Sequence, residues 1–256
     1  MAARKVFVKV IAVIPARYGS TRFPGKVLAT DTGKFLVQHT CQRALSAKTV
    51  QDVIIATDDE RVMKACLSFT DKCVMTSHSH QSGTDRIAEA VAHINADIVV
   101  NLQADEPEID PASIDYLVTI LKDNPQAQMA TLVAPFDNIA EVDDPNIVKV
   151  VVDNRGYALY FSRSPIPYDR DAAGKAALDK YLRHLGIYAY RKQFLLEITE
   201  KKQTQYEICE KLEQLRVLEN GYSIITGKVD HAWTGIDTPE QYAEFVKRHK
   251  GRNDGK

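Results

Sequence analysis

Residues Val8–Lys26, with the sequence VKVIAVIPARYGSTRFPGK, join an apolar run directly to a loop that contains two arginines, a lysine, two glycines, a serine and a threonine. The apolar run, Val8–Ile14, is rich in Val and Ile and predicts a buried β-strand. Ligands in parallel α/β sheets bind at the carboxyl ends of the strands, where this loop begins. Backbone N–H groups and guanidinium groups suit a polyphosphate, so the sequence predicts a phosphate-binding loop.

The loop does not match either of the common glycine-rich nucleotide motifs. The spacing from Gly19 to Gly25 is one residue longer than in a P-loop, and Val27 stands where a P-loop has Ser or Thr. The pattern G-x-G-x-x-G is also missing, so neither a P-loop NTPase nor a dinucleotide-binding dehydrogenase is predicted. An ordinary loop with solvated charges is the simpler alternative, but the clustering of Arg17 and Lys26 with Arg22 favours phosphate binding.

The composition is that of a folded chain without a charge excess. Of 256 residues, 45% are hydrophobic and 26% are charged, and the net charge is -1. This balance argues against bulk nucleic-acid binding or membrane binding, which a basic excess would favour. The four cysteines form no C-x-x-C motif, so we expect reduced thiols, no zinc site and a cytoplasmic protein.

Strand-like and helix-like patterns alternate through the first half of the chain. Apolar runs predict strands, and the segments between them have the apolar spacing of helices. The predicted strands are DVIIAT (52–57), KCVM (72–75) and DIVVNLQ (97–103), and the predicted helices are FLVQHTCQRAL (35–45), DERVMKACLSF (59–69, begun by Thr57 or Asp58) and TDRIAEAVAHI (84–94). This alternation predicts an α/β fold with a mostly parallel sheet flanked by helices.

The pattern changes after Ile147. The predicted elements there are a hairpin at 148–162 with its turn at 153–156, a Pro-rich loop at 164–180, strands at 184–190 and 222–227, one helix at 206–221, and a last helix at 237–249 with a capping box at Thr238 and Gln241. No linker or repeat interrupts the chain. We therefore expect one domain over residues 1–256, with a hairpin-and-loop excursion at about residues 153–205.

Acidic residues follow the fourth predicted strand in QADEPEID (103–110). Phosphoryl transfer concentrates negative charge, and Mg²⁺ held by one or two carboxylates commonly shares that charge. Asp105 lies nearest the strand end and is the candidate metal ligand, whereas Asp110 precedes Pro111 and is typical of a helix N-cap. Asp237, in TGIDTPE, is the second candidate ligand, with capping of the last helix as the alternative interpretation.

Seven segments, spread in order along the chain, together resemble the 3-deoxy-manno-octulosonate cytidylyltransferase family, also called CMP-Kdo synthetases. They are VIPARYGSTRFPGK (13–26), SHQSGTDRIAEA (79–90), VVNLQADEP (99–107), VKVVVDNRGYALYFSRSPIPYDRD (148–171), RHLGIYAY (183–190), LEQLRVLENG (212–221) and GIDTPEQ (235–241). The resemblance extends from Ile11 to Phe245. It implies a nucleotide-diphospho-sugar-transferase-like, Rossmann-like α/β domain that forms a homodimer and requires Mg²⁺.

The activity that the resemblance implies is transfer of CMP from CTP to the anomeric hydroxyl of 3-deoxy-D-manno-octulosonate (Kdo), with release of pyrophosphate. The product would feed the core of lipopolysaccharide. The excursion at about 153–205 would then contribute to sugar binding and to dimerisation. Alternatives are the same chemistry on 8-amino-Kdo or another nonulosonic or sialic-type acid, transfer to a sugar 1-phosphate, and a catalytically inactive nucleotide-binding protein.

The resemblance also assigns the site residues in three groups. The catalytic residues are Lys26, Arg17, Asp105 and Asp237, of which the two aspartates are the metal ligands. The residues that bind CTP are Ala16, Arg17, Ser20, Lys26, Gln81, Ser82, Arg86 and Gln103. The residues that hold the sugar acid are Arg163, His184, Tyr188, Glu213 and Gln214. From the residues alone, Arg163 and Glu213 are typical of a solvated surface, and His184 and Tyr188 of a core.

One motif departs from the family pattern. The family usually reads Q-G-D-E-P, whereas this chain has Ala104 in place of the glycine. Alanine adds a methyl group and disfavours a positive φ, so this substitution affects how closely the backbone can approach the nucleotide. The segment TQYEICEKLEQLR (204–216) also differs from the familiar form before Leu212, beside the expected sugar pocket.

Overall fold

The structure, a computed structural model, describes residues 8–80, 82–174 and 176–253, except for the side chains of residues 252 and 253. The chain forms two compact units. The first combines the chain up to Asp115 with the segment from Trp233 onward, and the second is Tyr116–Ala232. Two compact units can belong to one domain or to two, so the single domain over residues 1–256 stays a prediction.

The first unit contains a parallel sheet with the strand order β3-β2-β1-β4. Its strands are β1 (Val10–Pro15), β2 (Asp52–Thr57), β3 (Cys73–Met75) and β4 (Ile98–Asn101), and its helices are α1 (Leu36–Leu45), α2 (Glu60–Cys66), α3 (Gly83–Val91), the beginning of α4 (Pro111–Asp123) and α9 (Pro239–Asn253). The alternation predicted for the first half is confirmed. The helix and strand ends differ from the predicted ones by up to three residues, and the residue that caps α2 was predicted wrongly: Asp59, rather than Thr57 or Asp58, accepts from the Arg61 N–H.

The second unit contains a mixed sheet. Its elements are β5 (Met129–Pro135), α5 (Ile139–Asp143), β6 (Lys149–Val152), β7 (Ala158–Ser162), β8 (Leu182–Arg191), α6 (Lys192–Glu200), α7 (Gln205–Glu210), α8 (Gln214–Glu219) and β9 (Ile224–Lys228). Strand β5 pairs with β9 in parallel and with β8 in antiparallel fashion, and β6 pairs antiparallel with β7 and β8. The predicted hairpin is confirmed as β6–β7, with Gly156 at φ 86 in its turn. The role of the excursion in sugar binding and dimerisation stays a prediction.

The apolar side chains are buried in strands. All six residues of β1 are buried, as are all four of β4, which is the pattern expected where both faces of a parallel sheet are covered. Each fully buried Val or Ile side chain contributes about 1.5–3 kcal/mol relative to an exposed one. Within the described part of the chain, none of the helices is long and apolar enough to cross a membrane.

The helix predicted at 206–221 was wrong as a single element, because the chain breaks between α7 and α8. Lys211 adopts the left-handed conformation, with φ 55, which ends α7. Arg216 on α8 turns back and pairs with Glu207 on α7, through Nε to Oε2 at 2.9 Å and Nη2 to Oε1 at 2.5 Å. Both side chains are buried, so this two-pronged ion pair stabilises the bend that the continuous apolar pattern conceals.

Each unit buries one histidine, His39 in the first and His184 in the second. The Nε2 atom of His39 lies 2.7 Å from Thr32 Oγ1, and its ring packs edge-on against Phe245 with the centroids 5.2 Å apart. Burial, together with the charges of His249 and Lys34, lowers the pKa of His39 to about 4. The folded protein therefore keeps His39 neutral at pH values where the unfolded chain protonates it.

We expect the free energy of unfolding to depend on pH through His39. The pKa of a histidine is about 6.5 in the unfolded chain, whereas burial lowers the pKa of His39 in the folded protein. As the pH falls below about 6.5, the unfolded chain therefore binds a proton that the folded protein does not, and the free energy of unfolding decreases. Between pH 7.5 and 5.5 the wild-type protein should lose about 1.4 kcal/mol more than the His39→Gln variant. Urea unfolding of both proteins at the two pH values measures this difference, and the comparison cancels the other titrating groups. Equal pH dependence in the two proteins would contradict the burial of a neutral His39.

Candidate active site

The loop after β1 is closed on itself by one main-chain hydrogen bond. The Gly25 N–H donates to the Tyr18 carbonyl at 2.9 Å. Gly25 has a φ of 70, and a Cβ at this position would lie 3.1 Å from the Tyr18 ring, so the turn requires a glycine. This closure fixes the start of the short 3-10 helix Lys26–Leu28 and places Lys26 at the end of the loop.

Lys26 lies between two carboxylates that come from distant parts of the chain. Its Nζ donates to Asp105 Oδ2 at 2.5 Å and to Asp237 Oδ1 at 2.7 Å. A third hydrogen bond, 2.9 Å long, goes to the Ile236 carbonyl. The Lys26 side chain is only 11% exposed, so water screens these charges less than it would at the surface.

The charge state of this cluster follows from its geometry. Burial alone would lower the pKa of Lys26, but the ion pairs and hydrogen bonds with Asp105 and Asp237 outweigh it and raise that pKa above the ordinary value. Lys26 therefore stays protonated at neutral pH. The ammonium draws two carboxylates together, and Arg22 balances the charge of Asp237. Carboxylate oxygens that converge in this way are the ligands that a divalent cation prefers.

Two further contacts fix the segments that carry the aspartates. The Ile236 N–H donates to the Asp105 carbonyl at 2.8 Å, and Trp233 Nε1 donates to Glu106 Oε2 at 2.9 Å. Burial, reinforced by the neighbouring charge of Asp105, raises the pKa of Glu106 to about 8. Glu106 is therefore mostly neutral at pH 7, and its contact with Trp233 joins the two segments without adding another negative charge.

The capping alternative for Asp237 is not observed. Gln241 Oε1 accepts from the Asp237 N–H at 2.7 Å and the Thr238 N–H at 3.1 Å, and the Gln241 N–H donates to Thr238 Oγ1 at 3.3 Å. This is the predicted capping box, with Thr238 and Gln241 in the capping roles. The Asp237 carboxylate instead pairs with Lys26 and, at 2.8 Å, with Arg22.

A cavity of about 330 Å³ opens next to this loop. Its lining residues are Pro15, Arg17, Gly19, Ser20, Thr21, Arg22, Lys26, Val27, Gly83, Gln103, Ala104 and Asp105. Five predicted site residues, Arg17, Ser20, Lys26, Gln103 and Asp105, thus come together at one cavity. Within it, the guanidinium of Arg17 donates from Nη2 to the His80 carbonyl at 3.3 Å, which anchors the loop on one side.

The remaining residues predicted to bind CTP have other contacts. The Ala16 N–H donates to the Ala56 carbonyl at 2.8 Å, which continues the pairing of β1 with β2. Ser82 caps α3, because its hydroxyl accepts from the Asp85 N–H at 3.0 Å. Gln81 lies outside the described residues. The CTP contacts of Ala16 and Ser82 stay predictions.

Arg86 is fully buried. Its Nη1 donates to Thr76 Oγ1 at 2.5 Å, and its Nη2 donates to Asp58 Oδ2 at 2.6 Å. It does not belong to the residues that line the cavity. The contacts seen here hold α3 against the ends of β2 and β3, so a direct contact of Arg86 with CTP stays a prediction.

Three of the residues predicted to hold the sugar acid come together in the second unit. The rings of His184 and Tyr188 lie 5.5 Å apart, as expected for residues on one face of a strand. Tyr188 Oη donates to Gln214 Oε1 at 3.3 Å. The Nε2 atom of Gln214 is buried and, among the described residues, has no hydrogen-bond partner, which identifies a donor that a ligand oxygen can satisfy.

Arg163 and Glu213 lie in different surroundings. Arg163 donates from Nε to the Glu210 carbonyl at 2.6 Å and from Nη1 to the Pro145 carbonyl at 2.8 Å, with a longer contact of 3.4 Å from Nη2 to the Lys211 carbonyl. Within the described ranges, these bonds use three of its five N–H groups and leave one on each Nη atom. Glu213 is exposed at the start of α8. Their contacts with a sugar acid stay predictions.

Ala104 fits its position without strain. Among the described non-glycine residues, a positive φ occurs at Ala173 and Lys211 and not at Ala104. The Ala104 methyl group is buried, and its carbonyl accepts from Thr40 Oγ1 at 3.1 Å. The alanine therefore needs no backbone conformation that would favour glycine.

The sequence analysis did not single out three residues that lie beside predicted site residues. They are Glu106 and Trp233, beside Asp105, and Thr131, beside His184. Glu106 was one acidic residue among several, and its burial is visible only in the structure. Trp233 carried a usable signal, because it is the single tryptophan of the chain and lies close to Asp237 in sequence. Thr131, whose Oγ1 lies 3.0 Å from His184 Nε2, had no sequence signal, since the contact depends on the pairing of β5 with β8.

Comparison with known proteins shows to which proteins this chain is related. A family model described as cytidylyltransferase matches residues 11–224. The 3-deoxy-manno-octulosonate cytidylyltransferase of Geotalea daltonii is 46% identical over 251 residues, covering 95% of this chain and 99% of the relative. The protein of the same name from Solibacter usitatus is 49% identical over 242 residues, covering 94% and 95%.

Solved structures agree with this relationship. A structure of CMP:2-keto-3-deoxy-manno-octonic acid synthetase complexed with CTP has a TM-score of 0.89 and 44% identity, covering 95% of this chain and 99% of that one. The 4-diphosphocytidyl-2C-methyl-D-erythritol synthase of Anaerococcus prevotii, at 14% identity and a TM-score of 0.63, shares the fold alone. The α/β fold class that the sequence predicted is therefore confirmed. With a family match over most of its length and relatives nearly half identical over almost the whole of both chains, this protein belongs to the 3-deoxy-manno-octulosonate cytidylyltransferase family.

Proposed function

We propose that this protein transfers CMP from CTP to the anomeric hydroxyl of Kdo, forming CMP-Kdo and pyrophosphate. The observation that carries the proposal is the position of Lys26, held by Asp105 and Asp237 at the edge of a cavity lined by Arg17 and Arg22. The names of the relatives and the CTP in the similar solved structure support the same substrates here. The product would supply the core of lipopolysaccharide.

The two aspartates fit a divalent metal, which we propose to be Mg²⁺. Their carboxylates converge on one ammonium, so their oxygens lie close enough together to be shared by one ion. Among the described residues, no group of three His, Cys, Asp or Glu side chains forms a complete metal site. Mg²⁺ usually takes one or two carboxylates and completes its coordination with water and substrate phosphates, so Asp105 and Asp237 suffice. When bound, Mg²⁺ would neutralise phosphate charge and polarise a phosphoryl oxygen.

The loop after β1 would bind and orient the triphosphate. Arg17 and Lys26 would supply positive charge, and Ser20 with the loop N–H groups would supply hydrogen-bond donors. In the transfer step, the anomeric oxygen forms a bond to the α-phosphorus as the bond from that phosphorus to the pyrophosphate oxygen breaks. The hydroxyl proton leaves to solvent, and Lys26 and Arg17 offset the charge that grows on the departing pyrophosphate.

The second unit would hold the sugar acid. The buried Nε2 of Gln214 would donate to a sugar oxygen, with Tyr188 fixing the amide through its hydroxyl. The two remaining Nη–H groups of Arg163 would serve the sugar carboxylate, since a guanidinium suits that group. Glu213, exposed beside Gln214, would accept from sugar hydroxyls.

Assembly and location belong to the same proposal. We propose a homodimer, which is what the family resemblance implies. A cytoplasmic location is proposed because the sequence is expected to contain reduced cysteines. The four thiols form no disulfide, and Cys41, Cys66 and Cys73 are buried. Analytical ultracentrifugation of the purified chain tests the dimer directly.

Pyrophosphate release in the presence of Mg²⁺, CTP and Kdo tests the proposed reaction. Parallel reactions replace CTP by UTP or ATP, and Kdo by 8-amino-Kdo or N-acetylneuraminate. Release with CTP and Kdo alone is the expected result. Release with another sugar acid instead of Kdo would show that the proposed acceptor is wrong. The lack of pyrophosphate release with every acceptor would contradict the proposed enzymatic activity.

Asp105→Asn should reduce kcat by about a hundredfold or more, because it removes one ionic ligand of the metal that would neutralise phosphate charge in the transition state, while keeping the side-chain shape. Asp110→Asn is the matched control. It removes a charge from the same acidic segment, and asparagine can still cap α4, where Asp110 accepts from the Ala112 N–H at 3.2 Å. Turnover by Asp105→Asn within a few-fold of Asp110→Asn would remove Asp105 from the site.

Trp233 should report metal binding without turnover. As the single tryptophan, bonded to Glu106 beside Asp105, it should change its fluorescence when Mg²⁺ is added in the presence of CTP and the absence of a sugar acid. In the Asp105→Asn variant the same change should need at least about tenfold more Mg²⁺, because one ionic ligand is lost. An identical titration in both proteins would show that the metal does not use Asp105.

Gln214→Leu should raise the KM for Kdo by about tenfold, the loss expected for one hydrogen bond in a buried site, with the KM for CTP unchanged. Gln205→Leu is the control, because it makes the same chemical change at an exposed position on the neighbouring helix α7. Steady-state kinetics with each substrate varied in turn measure the effect. A rise in both KM values, or in neither, would remove Gln214 from the sugar site.

A further inference from the structure

Thr131 lies where the pairing of β5 with β8 changes register. On one side of the change Thr131 faces Tyr188, and on the other Leu132 faces Leu185, so β8 has two extra residues, Gly186 and Ile187. The Thr131 hydroxyl lies 2.8 Å from the Ile187 carbonyl oxygen and 3.1 Å from the Leu185 carbonyl oxygen. A carbonyl only accepts, so the single hydroxyl proton is directed to these two oxygens.

The same hydroxyl oxygen lies 3.0 Å from His184 Nε2. Because its one proton is already shared with the carbonyls, Thr131 Oγ1 can only accept from the imidazole. Nε2 must therefore carry a hydrogen. In the alternative arrangement, the Thr131 hydroxyl would donate its hydrogen to an unprotonated Nε2. The Leu185 and Ile187 carbonyl oxygens would then face the lone pairs of Oγ1 without a hydrogen between them, which is unfavourable in a buried position.

The surroundings of His184 keep it neutral and fix its plane. Burial lowers the pKa of His184 to about 3, so the ring carries a single hydrogen at neutral pH. Phe161 packs against the ring at 5.0 Å between centroids, and Tyr188 at 5.5 Å. With the hydrogen on Nε2, the other nitrogen, Nδ1, has a free lone pair, and within the described residues it forms no hydrogen bond.

We propose that Thr131 is a positioning residue that holds His184 in the Nε2–H tautomer, so that Nδ1 accepts a hydrogen bond from a hydroxyl of the bound sugar acid. This inference rests on the proposed function, because it assigns the acceptor as the ligand of this cluster. His184 then supplies an acceptor where Gln214, joined to it through Tyr188, supplies a donor. A sugar hydroxyl can donate one hydrogen bond and accept another, so these two side chains together can bind it.

The tautomer can be observed directly by long-range ¹H–¹⁵N correlation NMR of protein labelled with ¹⁵N-histidine. The His184 signals are identified by their loss in the His184→Gln variant. We expect the wild-type protein, without substrates, to show a protonated Nε2 and an unprotonated Nδ1. A protonated Nδ1, alone or with Nε2, would overturn the proposal, whatever the fate of any Thr131 variant.

Kinetics then connect the tautomer with the acceptor. Thr131→Val removes the hydroxyl, so both tautomers should appear and the KM for Kdo should rise about tenfold while the KM for CTP stays unchanged. Thr131→Ser keeps the hydroxyl and should retain the Nε2–H tautomer and the wild-type KM for Kdo. An unchanged tautomer and KM in Thr131→Val would overturn the positioning role. If the wild-type protein shows the Nε2–H tautomer but does not turn over Kdo, the proposed function fails and the tautomer assignment stands.

Discussion

The candidate site depends on one ammonium group that two carboxylates share. Lys26 is 79 residues from Asp105 and 211 residues from Asp237 in sequence, yet both oxygens lie within 2.7 Å of its Nζ. The loop that carries Lys26 is closed by Gly25, and the segments that carry the aspartates are joined by the bond from Ile236 to Asp105. Like charges would otherwise repel, so the ammonium lets two carboxylates lie close together before any metal or phosphate arrives.

Arginines serve two different purposes in this structure. In the first unit, Arg17 and Arg22 lie on the wall of the cavity, where Arg22 also pairs with Asp237. In the second, Arg191 donates to the Leu121, Asn124 and Ala127 carbonyls that follow or end α4. Arg163 similarly donates to the carbonyls at the end of α7. Carbonyls at a helix end lack partners within the helix, so a fork of N–H donors stabilises them and the turns that follow.

Local patterns were sufficient to predict β1, the loop after it, the hairpin β6–β7 and the capping box of α9, because each depends on residues close together in sequence. The convergence of Lys26, Asp105 and Asp237 followed from the rule that strand ends meet at one edge, together with the family resemblance. The break at Lys211 could not be predicted, since it depends on a buried ion pair between Glu207 and Arg216. The Thr131 contact was equally hidden, because it arises from the register of two strands far apart in the chain.

The first unit is discontinuous, since the segment from Trp233 onward completes a structure that begins with β1. A ribosome therefore makes Lys26 and Asp105 long before Asp237, and the nascent chain must wait for more than a hundred further residues to complete the acidic pair. Closing so long a loop costs conformational entropy, although that cost grows only with the logarithm of length. Contacts of such high sequence separation also slow folding. The candidate site should therefore be among the last parts of the protein to form during synthesis.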